Sequence, residues 1–459
     1  MYSGHTRRLI ARLSQVVIAF VVAMAVGCSD DAGPYSVVGL GGIGGGGSGG
    51  SDTGGADGIG TGGSAAGTTG NTGSSGAGGP GGSIAGSGSG GSIGGSGPGG
   101  SIGGSGPGGS IGGSGGGAGA GGSGAGTGAA GTIGTGGTGA ITAQPWPGSA
   151  EVVAVDSTNQ FMKNLSDLVY QPPVGNEGDV LWGLVNSPPT LFCLIWNGTT
   201  WTGMTDDNWT FGKALHYPSG GGSPDTEGLT RTDWSSTAIY VASERDNNGG
   251  VSRMSVLRYD VDDTGIALTA TNEWNLTPDL PISDPNTGLE GIAWVPDDYL
   301  VAHKFFDEAA NAVYDPSRYA NHAGGLFLVG HEGNGMIYAY ALDHSASAGT
   351  FQRVATVRSG NPYLMSLDFD RDEGNLWAYC DNTCANQAAV LRIGAGGRFD
   401  ISRLYTKPAS LADSNNEGIT IAPESECNAQ GFRSFFWSDD SDFGGHAIYR
   451  GSIPCGPLP

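Results

Sequence analysis

One short phrase returns five times in this chain at a near-regular interval. "DTEGLTRTD" begins at Asp225, "TGLEGIAWV" at Thr287 and "NNEGITIAP" at Asn415. "NLSDLVYQPP" from Asn164 and "YLMSLDFDR" from Tyr363 fit the same register. The matching positions are Ser166, Glu227, Glu290, Met365 and Glu417, separated by 61, 63, 75 and 52 residues. Self-similarity on this scale means one supersecondary unit used repeatedly, because a single unit cannot bury its own apolar face.

Each unit reads as a run of short strands. After the phrase comes a turn and a second apolar run: "VLWGLVN" (180–186), "AIYVASERD" (238–246), "YLVAHKF" (299–305), "NLWAYCDN" (375–382) and "SFFWSDD" (434–440). A third follows: "TLFCLIW" (190–196), "SVLRYDV" (255–261), "MIYAYAL" (336–342), "AVLRIG" (389–394) and "HAIYRGS" (446–452). Alternating or wholly apolar strands, turn residues between them and no long amphipathic helix predict an all-β fold. Antiparallel units of three or four strands repeated in this way predict a β-propeller of five blades. The last unit is one strand short, and "AEVVAVDST" (150–158) is placed to supply it, closing the ring and hiding its edges. Six blades would follow if the long third unit concealed another sheet.

Composition divides the chain. The 89 glycines are concentrated before residue 144, in a stretch of Gly, Ser, Ala and Thr that buries too little apolar surface to offset its ordering entropy. Residues 81–116 repeat "GGSIGGSGP"-like nonapeptides. Gly at every third position from Gly91 to Gly115 mimics collagen, but only Pro98 and Pro107 lie in register. "GGSIG" formally matches a nucleophile elbow, which needs a strand and a helix around it. Residues 29–144 are therefore expected to be a disordered tether with a span on the order of 60 Å, and 145–459 the folded domain. Residues 1–28 pair Arg7, Arg8 and Arg12 with an apolar run of 11 residues, Val16 to Val26. That is the secretory pattern, too short to span a bilayer. It ends in "AVGC", which resembles a bacterial lipobox. Cys28 would carry the lipid, anchoring the protein in the cell envelope as an outer-membrane or cell-surface lipoprotein.

The formal charge is −23. Residues 1–144 contain 3 Lys+Arg and 4 Asp+Glu, leaving 17 and 39 in the folded part. A domain so acidic lacks the basic footprint that nucleic acid requires. A monomer is expected.

The Glu-Gly-Ile/Leu phrases and the "LWAYCDN"-type strands downstream resemble the esterase-like phytase family, over most of residues 150–459. That resemblance implies calcium-dependent handling of phosphoesters. Ser166 and Met365 depart from the pattern.

In a propeller the first strand of each blade lines the central channel. Glu227, Glu290 and Glu417 should then converge, and Gly228, Gly291 and Gly418 should let the backbones crowd. Converging carboxylates repel unless a cation or proton relieves them. All-oxygen ligands suit Ca²⁺, with Asp225, Asn286, Asn415 and Asn416 as further oxygens. Alternatively, each Glu accepts a backbone N–H from the neighbouring blade and pins the two together. Function divides likewise: a metal-dependent hydrolase of phosphoester or related ester bonds, or a non-catalytic propeller binding a protein, glycan or small-molecule partner. No Ser-His-Asp arrangement is legible. His303 and His331 are channel-mouth or structural residues, and Glu244, Asp246, Asp381, Asp439 and Asp440 are rim residues or a solvated edge. "DVDDTG" (260–265) and "DFDRDEG" (368–374) imitate calcium loops but lack the twelfth-position Glu or the Gly spacing, so turns are expected.

Five cysteines follow Cys28. Cys380 with Cys384 and Cys427 with Cys455 are the expected bridges, leaving Cys193, inside "TLFCLIW", as a buried thiol outside both.

Overall fold

A computed structural model describes residues 141–175 and 178–459, and the backbone of 132–133. The expected leader, Cys28 and nearly all of the tether lie outside the described residues. None of the described helices is long and apolar enough to cross a membrane.

Five sheets form a five-bladed propeller, ordered outward from an innermost strand. Blade one comprises Leu165–Gln171, Val180–Asn186, Pro189–Trp196 and Lys213–His216. Blade two comprises Pro224–Thr230, Ala238–Asp246, Val251–Asp260 and Asn272–Asn275. Blade three is Leu289–Pro296, Gly325–His331, Met336–Leu342 and Phe351–Arg358. Blade four is Ser366–Asp370, Asn375–Tyr379, Ala388–Ile393 and Phe399–Tyr405. Blade five is Asn416–Ile421, Phe432–Asp439 and Ile448–Pro454. Its fourth strand is Val153–Ala154, from the stretch expected to close the ring, with Ala154 opposite Tyr449 and Val153 opposite Arg450.

Blade three corrects one expectation. "YLVAHKF" is not a strand: Asp297–Ala302 is a short helix whose Leu300 packs into the core. The second strand is Gly325–His331, and the extra length of this unit is that helix plus a hairpin, Phe306–Asp307 with Ala312–Val313. Among the described residues there is no sixth blade.

The core consists of five apolar clusters, one in each gap between successive blades. This explains why the strands read as unbroken apolar runs: both faces of each sheet are covered. Trp182 and Trp209 face Leu229 and Tyr259 between blades one and two. Trp377 and Trp437 meet between blades four and five, where Trp146 wedges against Phe435 at 4.9 Å between ring centroids. At each such site, full burial of one large side chain stabilises by about 1.5–3 kcal/mol.

Both expected disulfides are present, Cys380–Cys384 and Cys427–Cys455. The second links the start of the loop after the innermost strand of blade five to the end of its third strand, in the blade assembled from both ends of the domain. Cys193 is buried and takes part in neither bridge.

Candidate functional site at the channel mouth

The Glu-Gly phrase is a β-bulge. In blade two Thr226 pairs with Ser243 and Gly228 with Ala242, so Glu227 is the extra residue. In blade three Leu289 pairs with His331 and Ile292 with Val329, leaving Glu290 and Gly291 opposite Gly330 alone. Blade five repeats this with Glu417 and Gly418 between Asn416 and Ile419, and blade one with Ser166 between Leu165 and Asp167. A bulge breaks the alternation of a strand and re-aims one side chain. Here it lets a carboxylate turn to the channel at the start of an otherwise apolar strand.

The following residue sits where the inner strands crowd together. A Cβ on Gly228 would lie 2.3 Å from Glu290 O, one on Gly291 2.7 Å from Leu367 N, and one on Gly418 2.5 Å from Asp167 Cα. Only glycine fits such approaches. The equivalent positions in blades one and four hold Asp167 and Ser366, joined by a 3.0 Å hydrogen bond from Ser366 Oγ to Asp167 Oδ1. Asp167 also accepts Leu229 N–H at 2.7 Å, and Ser366 Oγ accepts Ile419 N–H at 3.2 Å. Tyr170 N–H donates to Thr420 Oγ1, Ile421 N–H to Asp368 Oδ2 and Gly288 N–H to Glu244 Oε2. Blade pinning is thus carried by Asp167, Ser366, Asp368, Thr420 and Glu244. Among the described residues, none of the hydrogen bonds of Glu227, Glu290 or Glu417 is to a backbone N–H of the next blade.

Above this plug the carboxylates gather. Oxygens of Asp225, Glu227 and Glu244 lie within 4.8 Å of one another, as do those of Glu244, Glu290 and Glu332. Glu244 is common to both triads. Glu227 and Glu290 come from the bulges, Glu244 and Glu332 from the ends of second strands. Asp225 is held by Arg245 Nε at 2.6 Å and Asn247 Nδ2 at 3.0 Å. Glu227 accepts both its contacts from Asn186 Nδ2, at 3.2 Å. Glu290 is 6% exposed and has no hydrogen-bond or ion-pair partner among the described residues. Every influence on its carboxyl is unfavourable to charge: burial first, then Glu227, Glu244, Glu417 and Glu332. Ser166, in the equivalent place in blade one, is 1% exposed with its hydroxyl unsatisfied, directed towards Glu227.

Burial pushes all these groups up. Glu227, Glu290 and Glu417 rise well above the ordinary carboxylate range, Glu244 to about 8 and Glu332 to about 7. After burial, neighbouring carboxylates are the next cause for Glu227, Glu290 and Glu417, and Asp381 for Glu332. A bound cation would reverse the sign of this field.

Glu417 stands outside both triads. It is partly exposed and shares the Asn415 amide with Asp440, at 2.7 and 3.3 Å. Asn286 is exposed and its amide oxygen accepts from Arg245. Asn416 is buried, with its amide turned to Asn386, Ala412 and Ser414. Asp439 is buried in its own loop, bonding Ser414, Ser441 and Phe443 N–H. Asp246 holds Ser223 and Asn248 N–H. His303 ends the short helix after the innermost strand of blade three, so it belongs to the far end of the channel. His331 is buried with both ring nitrogens unsatisfied, and burial depresses its pKa. Both calcium-loop imitations are turns between strands. Glu332 was missed by the sequence reading because the second strand of blade three was placed 26 residues too early. Its signal was available in "GLFLVGHEG", an apolar run ending in an acid, as in "AIYVASERD".

No family model and no curated protein matches the sequence. Among solved structures the chain is similar to the major allergen Mala s 1 of Malassezia sympodialis, with 10% identity and a TM-score of 0.36, covering 65% of this chain and 94% of that one. It is also similar to a Lactobacillus plantarum protein, with 12% identity and a TM-score of 0.33, covering 66% and 87%. A Bacteroides thetaiotaomicron protein of unknown function follows, with 11% identity and a TM-score of 0.30, covering 66% and 75%. Likenesses this remote carry no information on chemistry.

Proposed function

We propose that this protein is an exported, surface-tethered propeller that binds a divalent cation at its channel mouth and hydrolyses phosphoester or related ester bonds there. The observation that carries the reading is Glu290: a buried carboxylate with no donor, facing four others. Such a group is costly unless a cation completes it. Asp225, Glu227, Glu244, Glu290 and Glu332 would hold the cation, with Ser166 Oγ as a neutral oxygen beside them. The donor set is oxygen only, which suits calcium. When bound, such an ion polarises an ester oxygen and makes its water more acidic. The chain's own part is to fix the Glu227 and Glu290 oxygens on bulges that cannot shift, because the glycines beside them are in close contact. Glu417 and Asp440, bridged by Asn415, are carboxylates beside the cluster placed to accept a proton from water. The resemblance to esterase-like phytases points the same way.

Turnover of one chromogenic phosphomonoester and one chromogenic carboxylic ester tests this. Activity should require Ca²⁺, stop with EDTA and fall by at least about tenfold in Glu244→Gln, the loss of about 1.4 kcal/mol of transition-state stabilisation. If neither ester turns over while calcium still binds, the hydrolase reading fails. The acidic mouth then belongs to a non-catalytic propeller that recognises a protein or glycan, a reading favoured by Ser166 and Met365 interrupting the ring of glutamates. Tethering is tested separately. Cys28→Ala should release the protein from the membrane fraction, and unchanged fractionation would rule out lipidation at Cys28.

A further inference from the structure

The opposite end of the channel holds a cavity unrelated in chemistry to the acidic mouth. Its volume is about 90 Å³ and all five blades line it. The inner strands separate it from the acidic mouth where the three bulge glycines and the Asp167–Ser366 pair fill the axis.

Arg371 is its central feature. The guanidinium lies between two indoles, 4.3 Å from the Trp234 ring centroid and 5.1 Å from that of Trp294. One terminal nitrogen donates to Thr232 O at 3.1 Å and the other to Arg231 O. These bonds fix the plane and use two of five N–H groups. The remaining edge has no protein acceptor among the described residues, and Arg371 makes no ion pair there. Arg433, on the same wall, is by contrast already paired: it meets Asp370 at 2.5 Å and Asp372 at 3.8 Å, and also bonds Ala422 O. Asp368 faces Arg371 across the cavity without reaching it; its carboxylate takes Ile421 N–H on Oδ2 at 2.9 Å and has the Thr420 side chain beside it. Burial lowers Arg371 to about 10 and raises Asp368 to about 7. Both groups are half-buried, and neither is directly paired with the other.

We propose that this cavity binds a small carboxylate bearing a hydroxyl or amino group, with the carboxylate on the open edge of Arg371 and the donor on Asp368. A guanidinium edge held flat is suited to a planar carboxylate, which it meets with two parallel hydrogen bonds. Asp368 selects against a ligand that lacks a donor, since its own acceptor would then be left unsatisfied. The volume sets the size: an apolar cavity of about 150 Å³ takes benzene, so this one takes a molecule of the bulk of lactate or glycine. The two tryptophans give the site its own reporter.

Titration calorimetry and tryptophan fluorescence on the full chain in EDTA test the site apart from the metal reading. The probes are lactate, glycine, acetate and inorganic phosphate. Lactate or glycine should bind about tenfold more tightly than acetate and perturb the fluorescence, and Arg371→Gln should weaken that binding by about tenfold or more. Asp368→Asn should keep acetate binding and erase the preference for the donor-bearing ligand. It decides the matter if the arginine variant does not fold. Absence of binding by both lactate and glycine at millimolar concentration would overturn the proposal. So would phosphate binding more tightly than either, or affinities unchanged in the variants.

Discussion

Calcium raises the melting temperature of the full chain, and Glu290→Gln removes the response: this is the expected result with the widest consequence. A ligand that binds only the folded state stabilises it by mass action, about 2.7 kcal/mol at a hundred times its dissociation constant. For a domain of this size that is a shift of roughly 5 °C. The variant also makes an opposite prediction in EDTA. Glu290 sits among four carboxylates with nothing to compensate it. Neutralising it should therefore make the apo protein more stable than the wild type, by about 1–3 kcal/mol for one unpaired buried group. Crossed effects of this kind, more stable without calcium and less responsive with it, are what a metal site yields. A structural hydrogen-bonding role would instead make Glu290→Gln less stable in EDTA. A calcium-insensitive wild type would end the metal reading, with the hydrolytic function built on it. Scanning calorimetry with calcium and with EDTA reads both arms.

Asp370→Ala should produce the largest loss of stability of any single substitution at a charged residue in the described domain, about 3–5 kcal/mol. Asp370 ends the innermost strand of blade four, and Arg433 lies on the second strand of blade five. The two meet in a two-point pair at 3.2 and 2.5 Å, with side chains 2% and 1% exposed. Removing the carboxylate leaves a buried guanidinium with only the half-exposed Asp372 at 3.8 Å, and that poorly compensated charge, more than the lost bond, is what costs. The double replacement Asp370→Leu with Arg433→Met should recover most of the loss, because it leaves no charge to strand. Urea unfolding measures both. A loss below about 1 kcal/mol for Asp370→Ala, typical of a surface pair, would show that water reaches the pair.

Most of the architecture was legible because the signals that specify it are local. A strand covered on both faces has to be apolar along its length, so "VLWGLVN" and "MIYAYAL" announce themselves without knowledge of their neighbours. The five-fold count follows from the spacing of the three Glu-Gly phrases together with the Ser166 and Met365 phrases in the same register. Residues 150–158 were legible as the closing strand because the last unit was one strand short. The pairings Cys380–Cys384 and Cys427–Cys455 followed because each can be made within a single blade.

The helix at Asp297–Ala302 was not legible. "YLVAHKF" is as apolar as a strand, and only packing of Leu300, Phe305 and Tyr314 against the blade three and four core decides for the helix and its hairpin. That error hid Glu332, whose place at the mouth depends on which strand precedes it. The convergence of Glu227 and Glu290 was legible from the repeat. Their grouping with Asp225, Glu244 and Glu332, and the separation of Glu417, Asn286 and Asn416 from that group, was not. Nor was the assignment of blade pinning to Asp167, Ser366, Asp368 and Thr420. A repeat in sequence fixes which residues occupy equivalent strand positions. Which way each side chain turns depends on a bulge and on the backbone pressed against the next glycine. Those are contacts between blades more than 50 residues apart, and they exist only once the ring has closed.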